Sequence, residues 1–256
     1  MPTGTYDSGG CELAYDDIGE AAWGRPVVLL HGYASNRDEA WRRVGWYGAF
    51  ERKRIRVLAP DWRGHGESAK PHEPEAYTRD KMVGDVFALL DHLGIGRADL
   101  FGYSMGARLA IHAALAQPER IADLILGGVG GRLFEPPQAI GAMAAAMEAD
   151  DPDSIAEPIL RSFRLFADEQ GEDRIALAAC AHGGNYGVTR EMLDGIRARC
   201  LVVAGARDAL AGDPQALADA IAGARAAVLP GCDHFSAIPH ALFKAAVFDF
   251  IEGEMP

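Results

Sequence analysis

Residues 98–116 have the sequence ADLFGYSMGARLAIHAALA, an apolar run followed by a glycine-flanked serine and an alanine-rich segment. The apolar run predicts a β-strand, and the alanine-rich segment, which ends before Pro118, predicts an α-helix. Between them, residues 102–106 fit the pattern G-x-S-x-G, in which a sharp strand-to-helix turn holds a serine hydroxyl clear of the sheet. Small residues beside Ser104 leave room for that turn. The stretch therefore predicts a β-α connection with Ser104 as a candidate nucleophile.

Similar strand-like and helical segments alternate on both sides of this stretch. Apolar runs predict strands at 11–18, 27–30, 55–59, 98–101, 121–126, 201–204 and 226–229. Helical spacing predicts helices at 37–54, 77–93 and about 239–251, and Asp213 followed by Pro214 marks the start of another. The alternation predicts an α/β fold, with a mostly parallel central sheet of about eight strands flanked by helices. Ligands are then expected at the carboxyl ends of the strands.

The alternation stops between about residues 130 and 198, where several helical stretches and no convincing strand occur. We interpret residues 130–198 as a small helical cap inserted after the sixth strand, called the insertion below. Residues 1–129 and 199–256 then form one core domain. The insertion contains six basic and twelve acidic residues, half of the chain's net charge of −12. We interpret this charge as a solvated outer face rather than as an electrostatic filter against anionic substrates.

Composition excludes several classes of function. The 256 residues carry 25 Lys and Arg against 37 Asp and Glu, so no basic field exists to bind nucleic acid or an anionic membrane. The four cysteines are far apart and form no C-x-x-C pair, which argues against a zinc ribbon or a redox dithiol. The first residues have no signal-peptide pattern, and no apolar run reaches 18 residues. We therefore expect a cytoplasmic protein, while its oligomeric state stays open.

A serine hydroxyl needs a base to take its proton, and the base needs an acid to orient it. His234 follows the predicted strand 226–229 in a loop at the expected ligand-binding edge, whereas the other histidines after Ser104 lie in helices or in the insertion. Asp208 follows the strand 201–204 at the same edge. Asp233 is the other candidate acid, but adjacent side chains seldom converge. We therefore predict a triad of Ser104, His234 and Asp208.

The chain order Ser104, Asp208, His234 resembles that of the α/β-hydrolase superfamily. Residues 31–33, His-Gly-Tyr, resemble the oxyanion loop of that superfamily, and residues 61–68, DWRGHGES, resemble its D-x-R-G-x-G-x-S turn. The resemblance covers nearly the whole chain except the insertion, which corresponds in position to the superfamily's variable cap. It implies that the backbone N–H groups of Tyr33 and Met105 form an oxyanion hole. The polar residues of the turn are expected to stabilise it rather than to act in catalysis.

Two other sequence patterns, one of a metal site and one of a nucleotide site, are incomplete. Cys232, Asp233, His234 and His240 resemble a metal cluster in composition, but Cys232 and Asp233 are too close in sequence to His234 to converge readily on one ion. The glycines of residues 127–131 do not complete a dinucleotide-binding pattern. We therefore expect neither a cofactor nor a metal.

Apolar residues of the insertion are available to line the entrance to Ser104, and we expect a small-molecule substrate with an apolar acyl or alkyl part. Several residues are candidates for the substrate pocket, some of them in the core: His31, Tyr103, Phe134, Met143, Met147, Phe163, Phe166 and Phe235.

The resemblance implies a cofactor-independent serine hydrolase that cleaves an ester-like bond, a carboxylic ester first, with a lactone or thioester next. Carbon–carbon bond hydrolases of the meta-cleavage type share Ser-Met-Gly at the turn, but they usually have Asn and Trp where this chain has Tyr103 and Phe235. Cofactor-free haloperoxidase or perhydrolase activity stays open. Epoxide hydrolases and haloalkane dehalogenases of this fold use aspartate as nucleophile, which Ser104 does not match. A small-molecule receptor is the non-enzymatic alternative.

Overall fold

The computed structural model describes residues 3–20, 24–135, 141–184 and 186–253, so residues 136–140 and 185 of the insertion lie outside the described part. The described residues form one eight-stranded sheet in the order β1-β2-β4-β3-β5-β6-β7-β8. Strands β3 to β8 run parallel, and β1 and β2 form an antiparallel edge. The predicted α/β architecture is confirmed. The strands are β1 Gly4–Ser8, β2 Cys11–Ile18, β3 Val27–Leu30, β4 Val57–Pro60, β5 Ala98–Tyr103, β6 Ile121–Gly127, β7 Arg199–Gly205 and β8 Arg225–Leu229.

Helices cover both faces of this sheet. The α-helices are α1 Trp46–Arg52, α2 Arg79–His92, α3 Met105–Ala116, α4 Ala142–Glu148, α5 Pro158–Gln170, α6 Arg174–Gly183, α7 Arg190–Leu193, α8 Pro214–Ala218 and α9 Ala241–Glu252. A π-helix spans Asp38–Arg42, and short 3₁₀ turns span Pro74–Tyr77, Pro118–Arg120, Gly131–Phe134 and Pro152–Ser154.

The central strands are apolar without interruption because both of their faces are buried. In β3, Val28 and Leu30 pack into the core beneath α2, α3 and α8, and Val27 and Leu29 pack against α1 and α9 on the other side. Period-two alternation therefore places successive apolar side chains in two separate cores.

Two segments differ from the sequence expectations. Strand β1 was not expected from the sequence because it is a short edge strand whose exposed and buried residues give a weak apolar signal. The helix expected at 37–54 is divided into Asp38–Arg42 and α1, because Gly45 adopts a left-handed conformation with φ of 79°.

Between β6 and β7 the described residues form helices and no strand. Met147, Phe163 and Leu177 of the insertion pack with Ala34, which directly follows Tyr33 in the core. Ten of the twelve acidic residues of the insertion are exposed, the exceptions being Glu172 and Asp173. The described helices include none long and apolar enough to cross a bilayer.

The turn at 61–68 is fastened to the core by buried ion pairs. Asp61 accepts a hydrogen bond from the backbone N of Arg37 at 2.7 Å and also pairs with its guanidinium. Arg63 donates to both carboxylate oxygens of Asp85, at 2.8 and 2.5 Å. These charges act inside the fold, as the sequence predicted for Asp61 and Arg63.

Two buried histidines lie side by side at this turn, with ring centroids 5.3 Å apart. The Nε2 atom of His31 accepts from the backbone N of Trp62 at 3.1 Å. Burial lowers the pKa of His31 to about 4 and that of His65 to about 3. Both rings are therefore neutral in the folded protein across the physiological range of pH.

Two positions require glycine because backbone atoms pack closely against them. A Cβ atom on Gly106 would lie 2.0 Å from the carbonyl oxygen of Leu30, and one on Gly102 would lie 2.4 Å from the carbonyl oxygen of Gly106. Strands β3 and β5 and the first turn of α3 can approach this closely only without those side chains.

We expect Gly106→Ala to lower the free energy of unfolding by at least about 3 kcal/mol, because the methyl group forces the backbone of α3 away from β3. Gly84→Ala in α2 is the matched control, since a Cβ atom there meets nothing within 4 Å. It should raise stability by about 0.5–1 kcal/mol through helix propensity. Denaturant titration measures both values, and equal effects would contradict the packing argument.

We expect the destabilisation caused by His65→Gln to be about 2 kcal/mol smaller at pH 5 than at pH 7. A histidine in the unfolded chain titrates near 6.5, whereas the folded pKa of His65 is about 3. The unfolded state thus takes up a proton as the pH falls through 6.5 while the folded state does not, and wild-type stability is lost in that window. Denaturant titrations at both pH values measure the difference, and identical destabilisation would contradict it.

Candidate active site

Ser104 lies at the turn between β5 and α3, at the carboxyl edge of the sheet. Its backbone has φ of 54° and ψ of −113°, a conformation that a non-glycine residue seldom adopts. The backbone N of Ser104 donates to Gly127 O at 2.8 Å, which ties the turn to β6. The hydroxyl therefore stands on a strained and well-supported backbone.

The structure brings Ser104, His234 and Asp208 together. The Nε2 atom of His234 lies 3.0 Å from Ser104 Oγ, and its Nδ1 atom lies 2.8 Å from Asp208 Oδ2. Both His234 and Asp208 are buried, while Ser104 is partly exposed. This geometry lets His234 accept the serine proton while Asp208 holds the opposite ring nitrogen.

The carboxylate of Asp208 is held by its own loop. Its Oδ1 atom accepts from the backbone N–H groups of Leu210 and Ala211, at 3.0 and 2.9 Å. The other candidate acid, Asp233, is exposed and accepts instead from the backbone N and hydroxyl of Ser236, at 2.9 and 2.6 Å. Asp233 therefore caps the histidine loop, and Asp208 contacts the imidazole.

Tyr103 and Gly128 pack beside His234. The hydroxyl of Tyr103 donates to the backbone oxygen of His234 at 2.5 Å. A Cβ atom on Gly128 would lie 2.7 Å from the Tyr103 ring and 3.1 Å from His234 Cε1. The glycines after β6, which offered no nucleotide site in the sequence, make room for these two rings.

The loop after β3 passes beside the serine. A Cβ atom on Gly32 would lie 3.4 Å from Ser104 Cβ, so Tyr33, the next residue, is adjacent to the nucleophile. Met105 begins α3, where unpaired N–H groups concentrate positive potential. Both expected oxyanion donors thus belong to segments that adjoin Ser104.

Tyr33 also connects this loop to the insertion. Its hydroxyl donates to Leu177 O in α6 at 2.8 Å. Its ring packs edge-on against Phe163, with 6.2 Å between centroids, and Phe163 packs in turn against Phe235 at 5.7 Å. Phe235 is 42% exposed and lies perpendicular to the His234 ring. An aromatic wall therefore stands beside the serine and histidine.

The remaining pocket candidates are either buried or partly buried. His31 and Tyr103 are buried beneath the site, with their polar atoms bonded to the protein. Met147 is fully buried among the helices of the insertion. Phe134, Met143 and Phe166 are partly buried in or beside the insertion, and Arg190 stacks on the Phe134 ring at 4.1 Å.

Glu172, between α5 and α6, was missed by the sequence analysis. Its buried carboxylate accepts from Asn36 Nδ2 at 3.0 Å and from the backbone N of Gly66 at 2.9 Å. Burial raises the pKa of this carboxyl group. Its place in an acidic, mostly exposed segment gave no signal that it fastens the insertion to two core loops.

Comparison with known proteins agrees with this fold. A family model described as the alpha/beta hydrolase fold matches residues 25–173. Epoxide hydrolase 2 of Siraitia grosvenorii is 33% identical over 121 residues, which are 47% of this chain and 36% of that protein. The 2-hydroxymuconate semialdehyde hydrolase of Pseudomonas sp. (strain CF600) is 34% identical over 118 residues, which are 46% of this chain and 41% of that protein. The matches therefore span less than half of these relatives' lengths.

Solved structures match over almost the whole chain. The enol-lactonase from Burkholderia xenovorans LB400 has a TM-score of 0.83 at 28% identity, covering 97% of this chain and 100% of that one. A hydrolase from Pseudomonas aeruginosa PA01 has a TM-score of 0.80 at 29% identity, covering 97% of each chain. With the family model matching more than half of its residues, the chain belongs to the α/β-hydrolase fold family.

Proposed function

We propose that the protein is a cofactor-independent serine hydrolase that cleaves carboxylic esters, including the cyclic esters of lactones. The hydrogen-bonded series from Ser104 through His234 to Asp208 carries this proposal. A serine so placed is an activated acyl acceptor, and a side-chain hydroxyl does not supply the carboxylate nucleophile of epoxide-opening relatives.

Catalysis proceeds through an acyl-enzyme. His234 takes the Ser104 proton as Oγ attacks the carbonyl carbon, and Asp208 stabilises the resulting imidazolium. The N–H groups of Tyr33 and Met105 bind the negative oxygen of the tetrahedral intermediate. His234 then protonates the leaving alcohol, and the same histidine activates water to release the acid.

Two observations favour an ester or lactone with an apolar acyl part. The wall of Tyr33, Phe163 and Phe235 offers aromatic surface beside the nucleophile. One of the similar structures, which covers 97% of this chain at 28% identity, is an enol-lactonase, and a lactone is a cyclic ester. Thioesters would react by the same route.

Carbon–carbon bond hydrolysis is a second candidate. Two relatives favour it by name, the semialdehyde hydrolase at 34% identity and a 2-hydroxy-6-oxo-2,4-heptadienoate hydrolase from Pseudomonas putida at 36% identity. Assaying 4-nitrophenyl butyrate, a γ-lactone and a 2-hydroxy-6-oxo-dienoate with one preparation separates the candidates by their kcat/KM values.

We expect a fluorophosphonate to label Ser104, and Ser104→Ala to lower kcat for 4-nitrophenyl butyrate by at least about 10³-fold, because the acyl acceptor is lost. Ser162→Ala, on an exposed position of α5, is the matched control and should retain labelling and turnover. Mass spectrometry locates the label. A folded protein that is never labelled would favour the receptor alternative instead.

We expect Asp208→Asn to lower kcat by about 10⁴-fold, because an amide can hold the wrong tautomer of His234 and cannot stabilise the imidazolium. Asp233→Asn removes the same charge one residue from His234 and should lower kcat by less than about 10-fold, since Asp233 contacts only its own loop. Steady-state kinetics measure kcat for both variants and so distinguish the two candidate acids. A larger loss in Asp233→Asn would reverse the assignment of the acid.

A further inference from the structure

Arg108 lies on α3, one turn after Ser104, and is partly buried. Within the described ranges its guanidinium makes no hydrogen bond and has no carboxylate within ion-pair distance. Burial lowers the pKa of Arg108, with no acidic neighbour to oppose the effect. A desolvated cation of this kind is costly unless an anion meets it.

Other buried arginines of this chain are paired, which makes Arg108 exceptional. Arg37 pairs with Asp61 and Arg63 with Asp85, and nearby carboxylates raise the pKa of both guanidinium groups. Arg108 is less deeply buried than these two arginines, but it has no such partner among the described residues.

Helix geometry favours a direction of the Arg108 side chain towards Ser104. The Cα–Cβ bonds of a helix tilt towards its N-terminus, so a side chain covers the turn before its own Cα. For Arg108 that turn begins at Ser104. Four residues advance an α-helix by about 6 Å, which a flexible four-carbon ligand chain can span.

The surroundings of Arg108 lie beneath the insertion. Burial lowers the pKa of His112, and the charges of Arg79 and Arg108 lower it further, while the nearby backbone of Tyr186 and Gly187 in the insertion raises it. Two buried carboxylates of the region are already bonded, Asp208 to His234 and Glu172 to Asn36. Since no carboxylate of the described residues lies within ion-pair distance of Arg108, we look for its anion in a ligand.

We propose that Arg108 binds a carboxylate of the substrate, so that the preferred substrate is an ester or lactone whose short acyl chain carries an acid group. This inference rests on the hydrolase function proposed above. The planar guanidinium binds a carboxylate through two parallel hydrogen bonds, while the aromatic wall contacts the methylene groups between acid and carbonyl.

The ratio of kcat/KM for the 4-nitrophenyl monoester of glutaric acid to that for 4-nitrophenyl pentanoate measures the preference for a carboxylate. We expect the wild type to favour the acidic ester and Arg108→Gln to lower the ratio by about 10- to 100-fold. Arg97→Gln removes an exposed charge at the opposite edge of the sheet, directly before β5, and should keep the wild-type ratio. Arg108→Lys, which retains the charge, should keep part of the preference. An unchanged ratio in an active Arg108→Gln enzyme would overturn the inference.

A binding measurement separates failure of this inference from failure of the proposed hydrolysis. Calorimetry with Ser104→Ala compares monomethyl glutarate with dimethyl glutarate, neither of which that variant can turn over. Tighter binding of the monoacid, weakened at least about 10-fold when Arg108→Gln is added, supports a carboxylate site whether or not the wild type hydrolyses esters. Equal binding of both compounds overturns it.

Discussion

The contact of three backbone segments around Ser104 is the constraint on which the rest of the site depends. Gly106 packs against the carbonyl of Leu30, and Gly102 packs against the carbonyl of Gly106, at separations that exclude a Cβ atom. The φ of 54° at Ser104 costs on the order of 1–3 kcal/mol, which only a rigid surrounding structure sustains. The buried strands on either side of β5 provide that rigidity, so the serine hydroxyl is fixed before any substrate arrives.

The parallel sheet explains how residues far apart in sequence meet at that serine. Strands β5, β6, β7 and β8 are consecutive neighbours, and each delivers the loop after it to the same edge. Asp208 follows β7 and His234 follows β8, so residues 26 and 130 positions apart come within hydrogen-bond distance. Two sets of hydrogen bonds then set the final geometry: amides of its own loop hold Asp208, and Tyr103 of β5 holds the backbone of His234.

The local pattern of apolar residues predicted the secondary structure where burial alone determines it. The strand Val27–Leu30 could be predicted to the residue because both of its faces are buried. Ser104, Asp208 and His234 could be grouped because each follows a strand that ends at the same edge. Edge strand β1 could not be found from apolar pattern, since half of its surface faces solvent.

The sequence did not predict the side-chain pairs that form only in the tertiary fold. Glu172 is one of twelve acidic residues in the insertion, and nothing local separates it from the ten that are exposed. Likewise, Arg108 is a charge within an otherwise apolar helix, which suggests solvent exposure. Its lack of a partner becomes visible only when the surrounding elements are in place. Ten of the twelve acidic residues of the insertion are exposed, which is consistent with the solvated outer face expected from the sequence.

Ser104 and the loop that carries Tyr33 are held in place by interactions of different strength. Ser104 is fixed by backbone packing, whereas the loop that carries Tyr33 is joined to the insertion by the hydrogen bond to Leu177 and, through Asn36, by Glu172. Each such hydrogen bond contributes only about 1 kcal/mol net, and the apolar packing of Phe163 and Leu177 with Ala34 adds to their effect. A ligand that contacts Phe163 bears on the same insertion and therefore on the loop beside the serine. The insertion and the loop beside Ser104 are thereby linked through one tyrosine side chain, Tyr33.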